Sequence, residues 1–304
     1  TSVSFFLFVK ENKALLCGGR TDLPGFGRIC DDNSYCGFDI DLCRAVSAAV
    51  LNSPKGPITF VPVLTAITDP SGMGRKDVLQ YRKVDMLSRN TTWTSSRDIE
   101  WGNFTVVMFY DGQSFIVRKD SDITEVAHLN KKRICVVRDT TTYDHLVDYF
   151  ARHDLYFTPV FASSVSGLMS LYQNDQCDAV TSDRSGLAAQ RVSLGDKENH
   201  EILKTLISKE PLTPVVPHGD DQWLDIVKVV LFGLINAEEL GITKDNVDAM
   251  MNSDDPEVKR LLGVEGSFGQ EILGLEKGAI AQAIRAVGNY GDIYDRNLGP
   301  NGID

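Results

Sequence analysis

The chain has 304 residues, with 31 Lys and Arg against 42 Asp and Glu, a formal net charge of -11, 42% hydrophobic and 24% charged residues. That profile excludes a disordered chain, and the acidic balance excludes the clustered Lys/Arg footprint by which nucleic acid is held. At roughly 100 to 200 residues per domain the length predicts two lobes, each able to bury a core without help from a metal.

The longest apolar run, Phe5 to Val9, is far shorter than the ~20 residues that span a bilayer, and it lies too near the terminus to be an intact secretory signal. The chain reads as already processed. The run, with Lys10 and Lys13 behind it, predicts a short opening helix packed under the first sheet and leading into a strand over Ala14 to Cys17. A Gly-rich loop from Gly18 to Gly27 follows, then a helix from Asp39 to Leu51 whose Ile40, Cys43, Val46 and Val50 share one face. Past the break at Pro54 to Pro57, the pattern predicts a strand (Ile58 to Val63), a helix (Arg75 to Tyr81) and a short strand (Val84 to Leu87). Strands alternating with helices mark an α/β sheet with parallel strands.

Two strand-like runs, Phe104 to Tyr110 and Ser114 to Val117, flank Asp111-Gly112 and mark a first crossing between lobes. The α/β logic then repeats: strand Arg133 to Val137, loop Arg138 to Thr142, helix Tyr143 to His153, strand Phe157 to Phe161, helix Val165 to Asn174, strand Asp178 to Thr181. Pro211, Pro214 and Pro217 mark a second crossing near Glu210 to Val216. The remainder is mostly helical, with Trp223 to Leu240 periodic and a stop at Gly241. Two crossings predict one lobe made of both chain ends, 1–110 and 216–304, and an inserted lobe, 111–215, with hinges near 110–114 and 208–216.

The six cysteines, Cys17, Cys30, Cys36, Cys43, Cys135 and Cys177, form no CxxC pair and no zinc-finger grouping with histidine. An even number predicts disulfides and an oxidising compartment. Four lie close together, and their pairing stays open. Cys135 and Cys177 stand apart beside apolar strand-like runs and are expected to pair with each other, the alternative being reduced, buried thiols.

Enzyme signatures are missing: no GxGxxG, no phosphate loop, no HExxH, no GxSxG. His128, His145, His153, His200 and His218 show no ligand spacing and read as lone surface residues, so no metal and no cofactor is expected. What stands out is Asn90-Thr91-Thr92-Trp93-Thr94-Ser95-Ser96-Arg97-Asp98, directly after a strand. A segment leaving the carboxyl end of a parallel strand presents free N–H groups, and an arginine one turn on can close on a carboxylate. In the inserted lobe, Thr140-Thr141-Thr142 forms a second hydroxyl and N–H nest between strand and helix. Asp183, at another strand end, could pair with an ammonium group. Arg97 and Asp183 together would read an α-amino acid zwitterion, although each segment taken singly also suits a helix cap.

These segments resemble the type 2 periplasmic solute-binding proteins of amino-acid ABC importers, the family 3 extracellular solute-binding proteins, and within them the general L-amino-acid binding branch. The carrying residues are Gly37-Phe38-Asp39-Ile40-Asp41-Leu42, the run Val84 to Thr94 with Arg97, Tyr110-Asp111-Gly112-Gln113, Thr140-Thr141-Thr142 and Thr181 to Leu187. Ser208-Lys209-Glu210-Pro211-Leu212, Gly219 to Trp223 and Gly288-Asn289-Tyr290-Gly291 extend the match over nearly the whole chain.

The resemblance implies a two-lobe periplasmic binding protein fold of type II, each lobe a central sheet flanked by helices, joined by two crossing strands. It implies a monomeric, non-enzymatic protein of the periplasm or a secreted one, which captures a polar L-amino acid by closure and docks on a membrane permease. Arg97 would grip the α-carboxylate with Thr92 and the main chain of Thr141, beside Thr140. The α-ammonium would meet Asp183 and the carbonyl of Asn90. Arg20 and Arg75 align with positions that reach a side-chain carboxylate in acidic-amino-acid binders, which points to glutamate or aspartate. Phe26 is the candidate to pack on the ligand's aliphatic part. Two features depart from the family: Asp139 replaces a glycine, and the loop Thr68 to Gly74 is irregular. The alternatives are an enzyme on the same fold, dehydratase- or lyase-like, with Asp139 or Asp183 as acid or base, and the ligand-sensing domain of a receptor.

Overall fold

The computed structural model describes residues 4–299 and Gly302, so the lobe limits expected at residues 1 and 304 lie outside the described residues. Ser4 caps helix α1 (Phe5–Asn12), and Phe5, Phe6 and Val9 turn inward from it. Strand β1 (Leu15–Gly19) follows. The stretch expected to be a Gly-rich loop, with the residues after it, instead folds as three very short antiparallel strands, β2 (Asp22–Leu23), β3 (Gly27–Ile29) and β4 (Tyr35–Cys36). Strands of two or three residues leave no alternation to read. The Cys30–Cys36 disulfide staples them.

Gly37 then opens α2 (Phe38–Val50) at φ 135°, where a Cβ would sit 2.2 Å from Phe26 O. No other residue combines that backbone conformation with that contact. The chain continues through β5 (Ile58–Pro62), α3 (Arg75–Gln80), β6 (Met86–Leu87), α4 (Ser95–Glu100) and β7 (Asn103–Phe104). β1 pairs parallel with both β5 and β6.

β8 (Phe109–Asp111) leads out of this sheet and into a second one. That sheet is built from β9 (Gln113–Arg118), β10 (Lys132–Val137), β11 (Phe157–Ala162), β12 (Ala179–Asp183) and β13 (His200–Ile202) in the order β11-β10-β12-β9-β13. β10 lies parallel to β11 and β12, with α5 (Thr141–Arg152), α6 (Val165–Gln173) and α7 (Arg184–Val192) between or after them. β14 (Glu210–Leu212) runs back antiparallel to β8, with Glu210 opposite Asp111. β15 (Val215–Val216) rejoins the first sheet, whose order is β5-β1-β6-β15-β7.

The rest of the chain is helical: α8 (Asp221–Glu239), α9 (Val247–Met250), α10 (Pro256–Leu262), α11 (Ala279–Val287) and α12 (Tyr290–Asn297). The main core joins α2, α8 and α11 to the first sheet, and Trp223 in it donates to Asp85 O at 2.8 Å. Separate apolar clusters fill the two faces of the second sheet. Cys17–Cys43 ties β1 to α2, and Cys135 is bonded to Cys177, the pairing expected from sequence. His200 is not a surface residue: it is buried, with Nδ1 2.9 Å from Tyr172 Oη and Nε2 3.2 Å from Asp196 Oδ1. No helix among the described residues is long and apolar enough to cross a membrane.

Candidate functional site

The chain leaving β6 is pinned from below by Asp39, in the first turn of α2. Asp39 accepts from Asn90 N at 2.8 Å and from Ser88 Oγ at 3.1 Å, and burial pushes it up to about 6 in spite of those bonds. Asn90 sits at φ 37°, in the left-handed region that Asn tolerates better than most residues. Thr92 forms a bridge to Leu212 on β14, and Thr94 Oγ1 caps α4 by accepting from Arg97 N at 3.2 Å.

Arg97 folds back over this turn. Its Nη1 donates to Thr92 O at 2.9 Å, and its guanidinium lies 4.7 Å from the ring centre of Trp101. Burial lowers its pKa to about 10, which leaves it cationic at neutral pH. Arg75, at the start of α3, lies 5.3 Å from the same ring centre. Its Nε and Nη2 are buried without a hydrogen-bond partner among the described residues. Burial, then the nearby charges of Arg97, Arg89 and Arg20, hold its pKa well below the ordinary value, while Asp183 opposes them. Arg20 donates from Nε to Asp22 at 2.7 Å and from Nη1 to Asn90 Oδ1 at 3.2 Å, and its buried Nη2 has no partner among the described residues. Arg89 donates to Val63 O and to Thr65 Oγ1, and burial lowers it to about 9.

Acidic groups come to the same place from the second sheet and the crossing strands. Asp183 ends β12 and stands at the start of α7 without capping it, and its Oδ2 lies 3.5 Å from Asn90 Nδ2. Burial raises its pKa well above the usual carboxylate range, and Asp111 and Glu210 raise it further. Glu210 is buried and accepts from Thr92 Oγ1 at 2.6 Å. Thr140 caps α5, with Oγ1 donating to Val137 O at 2.8 Å, and Thr141 is the first helical residue. Asp139 before them is left-handed at φ 59°. Gln113 donates to Thr142 O and Thr181 Oγ1, leaving its own Oε1 buried without a partner.

The fold therefore gathers Arg20, Arg75, Arg97, Asn90, Thr92 and Asp183 into one charged cluster. Thr140 and Thr141 stand at the head of the helix that reaches it through Gln113 and His145. The hydroxyl of Thr92 is committed to Glu210 and is not free to donate to a ligand. Phe26 does not belong to the site. It packs edge-on against Phe38 and Phe109, at 6.2 and 5.7 Å between ring centres, and is 1% exposed, so no face is left for a ligand. Trp101, under the two arginines, is the aromatic residue beside the charges. Sequence reasoning singled out neither Arg89 nor Glu210, although both lie inside the segments it quoted, and His145 is half-buried against Glu210 instead of lying alone on the surface. A cleft of ≈ 490 Å³ opens beside Arg20, with Arg89, Thr65, Ser163 and Ser164 in its walls.

Residues 15–246 match the bacterial extracellular solute-binding proteins, family 3. The general L-amino acid-binding periplasmic protein AapJ of Rhizobium johnstonii is 42% identical over 294 residues, 96% of this chain and 84% of that one. The glutamate/glutamine/aspartate/asparagine-binding protein BztA of Rhodobacter capsulatus is 40% identical over 293 residues, with coverage of 96% and 84%. Among solved structures, a periplasmic binding protein from Brucella ovis with glutathione bound superimposes with a TM-score of 0.91 at 38% identity, covering 98% of this chain and 91% of that one.

Proposed function

The chain belongs to the family 3 bacterial extracellular solute-binding proteins, and the relatives it matches are binding proteins and not enzymes; on that footing we propose that it captures a polar L-amino acid between its lobes for an ABC importer, with a preference for glutamate and aspartate. It works in the periplasm and delivers its ligand to a membrane permease. One lobe is formed by the described residues up to 110 and from 216 onward and the other by 111–215, closing about the crossings at 110–114 and 208–216.

The observation that carries this reading is the set of unpaired donors on Arg75 and Arg20 in a site that also holds Arg97 and Asp183. A buried donor without a partner costs roughly 1–3 kcal/mol, and more when charged. An anion from outside the chain removes that cost. In the proposed pose Arg97 holds the α-carboxylate with main-chain help from Thr92 and Thr141, beside Thr140. Asp183 and the carbonyl of Asn90 receive the α-ammonium, and an ammonium beside Asp183 stabilises its ionised form. Arg20 and Arg75 then meet the side-chain carboxylate. Ligand contact with both lobes at once gives the differential affinity that drives closure.

The decisive variant is Arg97→Ala, which removes the α-carboxylate's partner. Calorimetric titration should show binding of L-glutamate weakened by about 100-fold or more, the order expected for losing a charge-assisted pair in a buried site, with the circular-dichroism melt preserved. A loss of less than about tenfold relative to the wild-type protein, about 1.4 kcal/mol, would refute the pose. A second reading is supported by the cleft beside Arg20: a γ-glutamyl compound such as glutathione, the molecule bound in the Brucella ovis structure, could place its extension there. Its inclusion in the same titrations distinguishes the two.

A further inference from the structure

Glu210, on the second crossing strand, is 1% exposed, and its carboxylate takes donors from three parts of the chain. Oε2 accepts from Thr92 Oγ1 at 2.6 Å. Oε1 lies 2.9 Å from His145 Nδ1 and also accepts from Ser208 Oγ. Thr92 leads into the segment that carries Arg97, and Arg97 Nη1 bonds back to its carbonyl at 2.9 Å. His145 lies in the second turn of α5, the helix that starts at Thr141. A single carboxylate thus ties the arginine wall of one lobe to the helix start of the other, at the point where the chain crosses between them.

We propose that Glu210 and His145 are positioning residues for ligand capture: their contact fixes the spacing between the Thr92–Arg97 wall and the first turn of α5, and so makes ligand affinity follow the charge of His145. Neither residue needs to touch the ligand. The proposal goes beyond the choice of ligand and rests on the reading above only for its probe.

The surrounding charges determine the sign. His145 faces Glu210 across the crossing, and Asp144 and Asp148 on its own helix. Glu210 in turn faces Arg97, Asp111 and Asp183, and Arg97 also feels Asp144. The hydrogen bond to Glu210 raises the His145 pKa, and burial opposes it only in part. For Glu210 burial pushes the pKa up, but the bonds from His145, Ser208 and Thr92 outweigh it and hold the carboxylate below its ordinary range. A raised histidine pKa gives a contribution that is fully present below the ordinary value and is lost as pH rises through the raised one. Affinity should therefore fall on the alkaline side. On the acid side Asp183, raised by burial and by Asp111 and Glu210, takes up a proton and loses its hold on an ammonium, so affinity falls there too.

The test is calorimetric titration with L-glutamate from about pH 6 to about pH 9, on the wild-type protein, His145→Gln and Glu210→Gln. The wild-type protein should lose roughly tenfold in affinity along the alkaline limb for each pKa unit by which ligand binding, by tightening the contact with Glu210, raises His145 further than in ligand-free protein. That limb should vanish in both variants while the acid limb remains. An alkaline limb in His145→Gln equal to that of the wild-type protein overturns the proposal. A second arm needs no ligand: the His145 ring is followed by NMR in ligand-free protein. Its midpoint should lie above the ordinary histidine value and return to it in Glu210→Gln. A wild-type midpoint at the ordinary value overturns the proposal whichever amino acid binds. If L-glutamate fails to bind at any pH, the ligand reading fails, and the NMR arm still decides for or against the contact.

Discussion

Arg75 carries the energetic problem that defines the site. Two of its guanidinium nitrogens are buried and unpaired, beside other arginines whose charges oppose its own, a combination that a stability-optimised interior avoids. Its contact with the Trp101 ring, 5.3 Å from the ring centre, offsets part of the cost, since cation–π contacts give ~0.5–2 kcal/mol. Arg20 repeats the arrangement with one free nitrogen. Arg20→Ala should therefore weaken L-glutamate far more than L-glutamine: loss of one charge-assisted bond of about 1.5–3 kcal/mol is roughly 10- to 150-fold for the acid, against only a few-fold for the amide. Equal losses for the two ligands would remove the acidic preference. That Arg97, Asn90, Thr92 and Asp183 come together was legible because each stands in a short polar run at a strand end. Glu210 and His145 were not, because their partnership joins residues 65 apart across the crossing, which no local pattern encodes. Phe26 was misplaced for a related reason: a phenylalanine between glycines shows that a ring is present but not which way it points, and here it points into the core.

At the scale of elements, strand-to-helix turns do the positioning. The turn after β6 is held by Asp39 from α2, and the turn after β10 depends on Asp139 in the left-handed region at φ 59°. Thr140 closes that second turn as the cap of α5. Asp139→Gly should stabilise the protein by about 1 kcal/mol, the order of the left-handed penalty for a residue with a Cβ, and Asp139→Ala should destabilise it by a similar amount, both read from urea midpoints. Unchanged midpoints in both variants would show that the turn is not strained. Most of the larger elements were legible from periodicity and fall within a few residues of their expected limits, but the strand expected over Phe104 to Tyr110 is two short strands, Asn103–Phe104 in the first sheet and Phe109–Asp111 in the crossing pair, with 105–108 outside any strand. The small sheet β2–β4 was not, because strands this short pack by glycine geometry and a disulfide and not by an apolar face. β6 and β15 contribute only two residues each to the first sheet, so sequence showed that strands were present but not how they pair.

At the scale of the whole molecule, two five-stranded sheets are built on a similar plan, and the antiparallel pair β8 and β14 links them. The chain passes out along one crossing strand and back along the other, so both sides of the site hang from the same short ribbon. Glu210 lies on that ribbon opposite Asp111, and this places the charges of the crossing strands and those of the arginine cluster in one electrostatic neighbourhood. On the reading proposed above, a bound anion satisfies the buried donors of Arg75 and Arg20. The measurement that tests this most directly is calorimetric titration of ligand-stripped protein with L-Glu, L-Asp, L-Gln and L-Asn, with D-Glu as a control and glutathione for the extended reading. The account predicts micromolar or tighter binding, about -8 kcal/mol or better, for the L-amino acids, strongest for glutamate and aspartate. Failure of every L-amino acid to bind would contradict it.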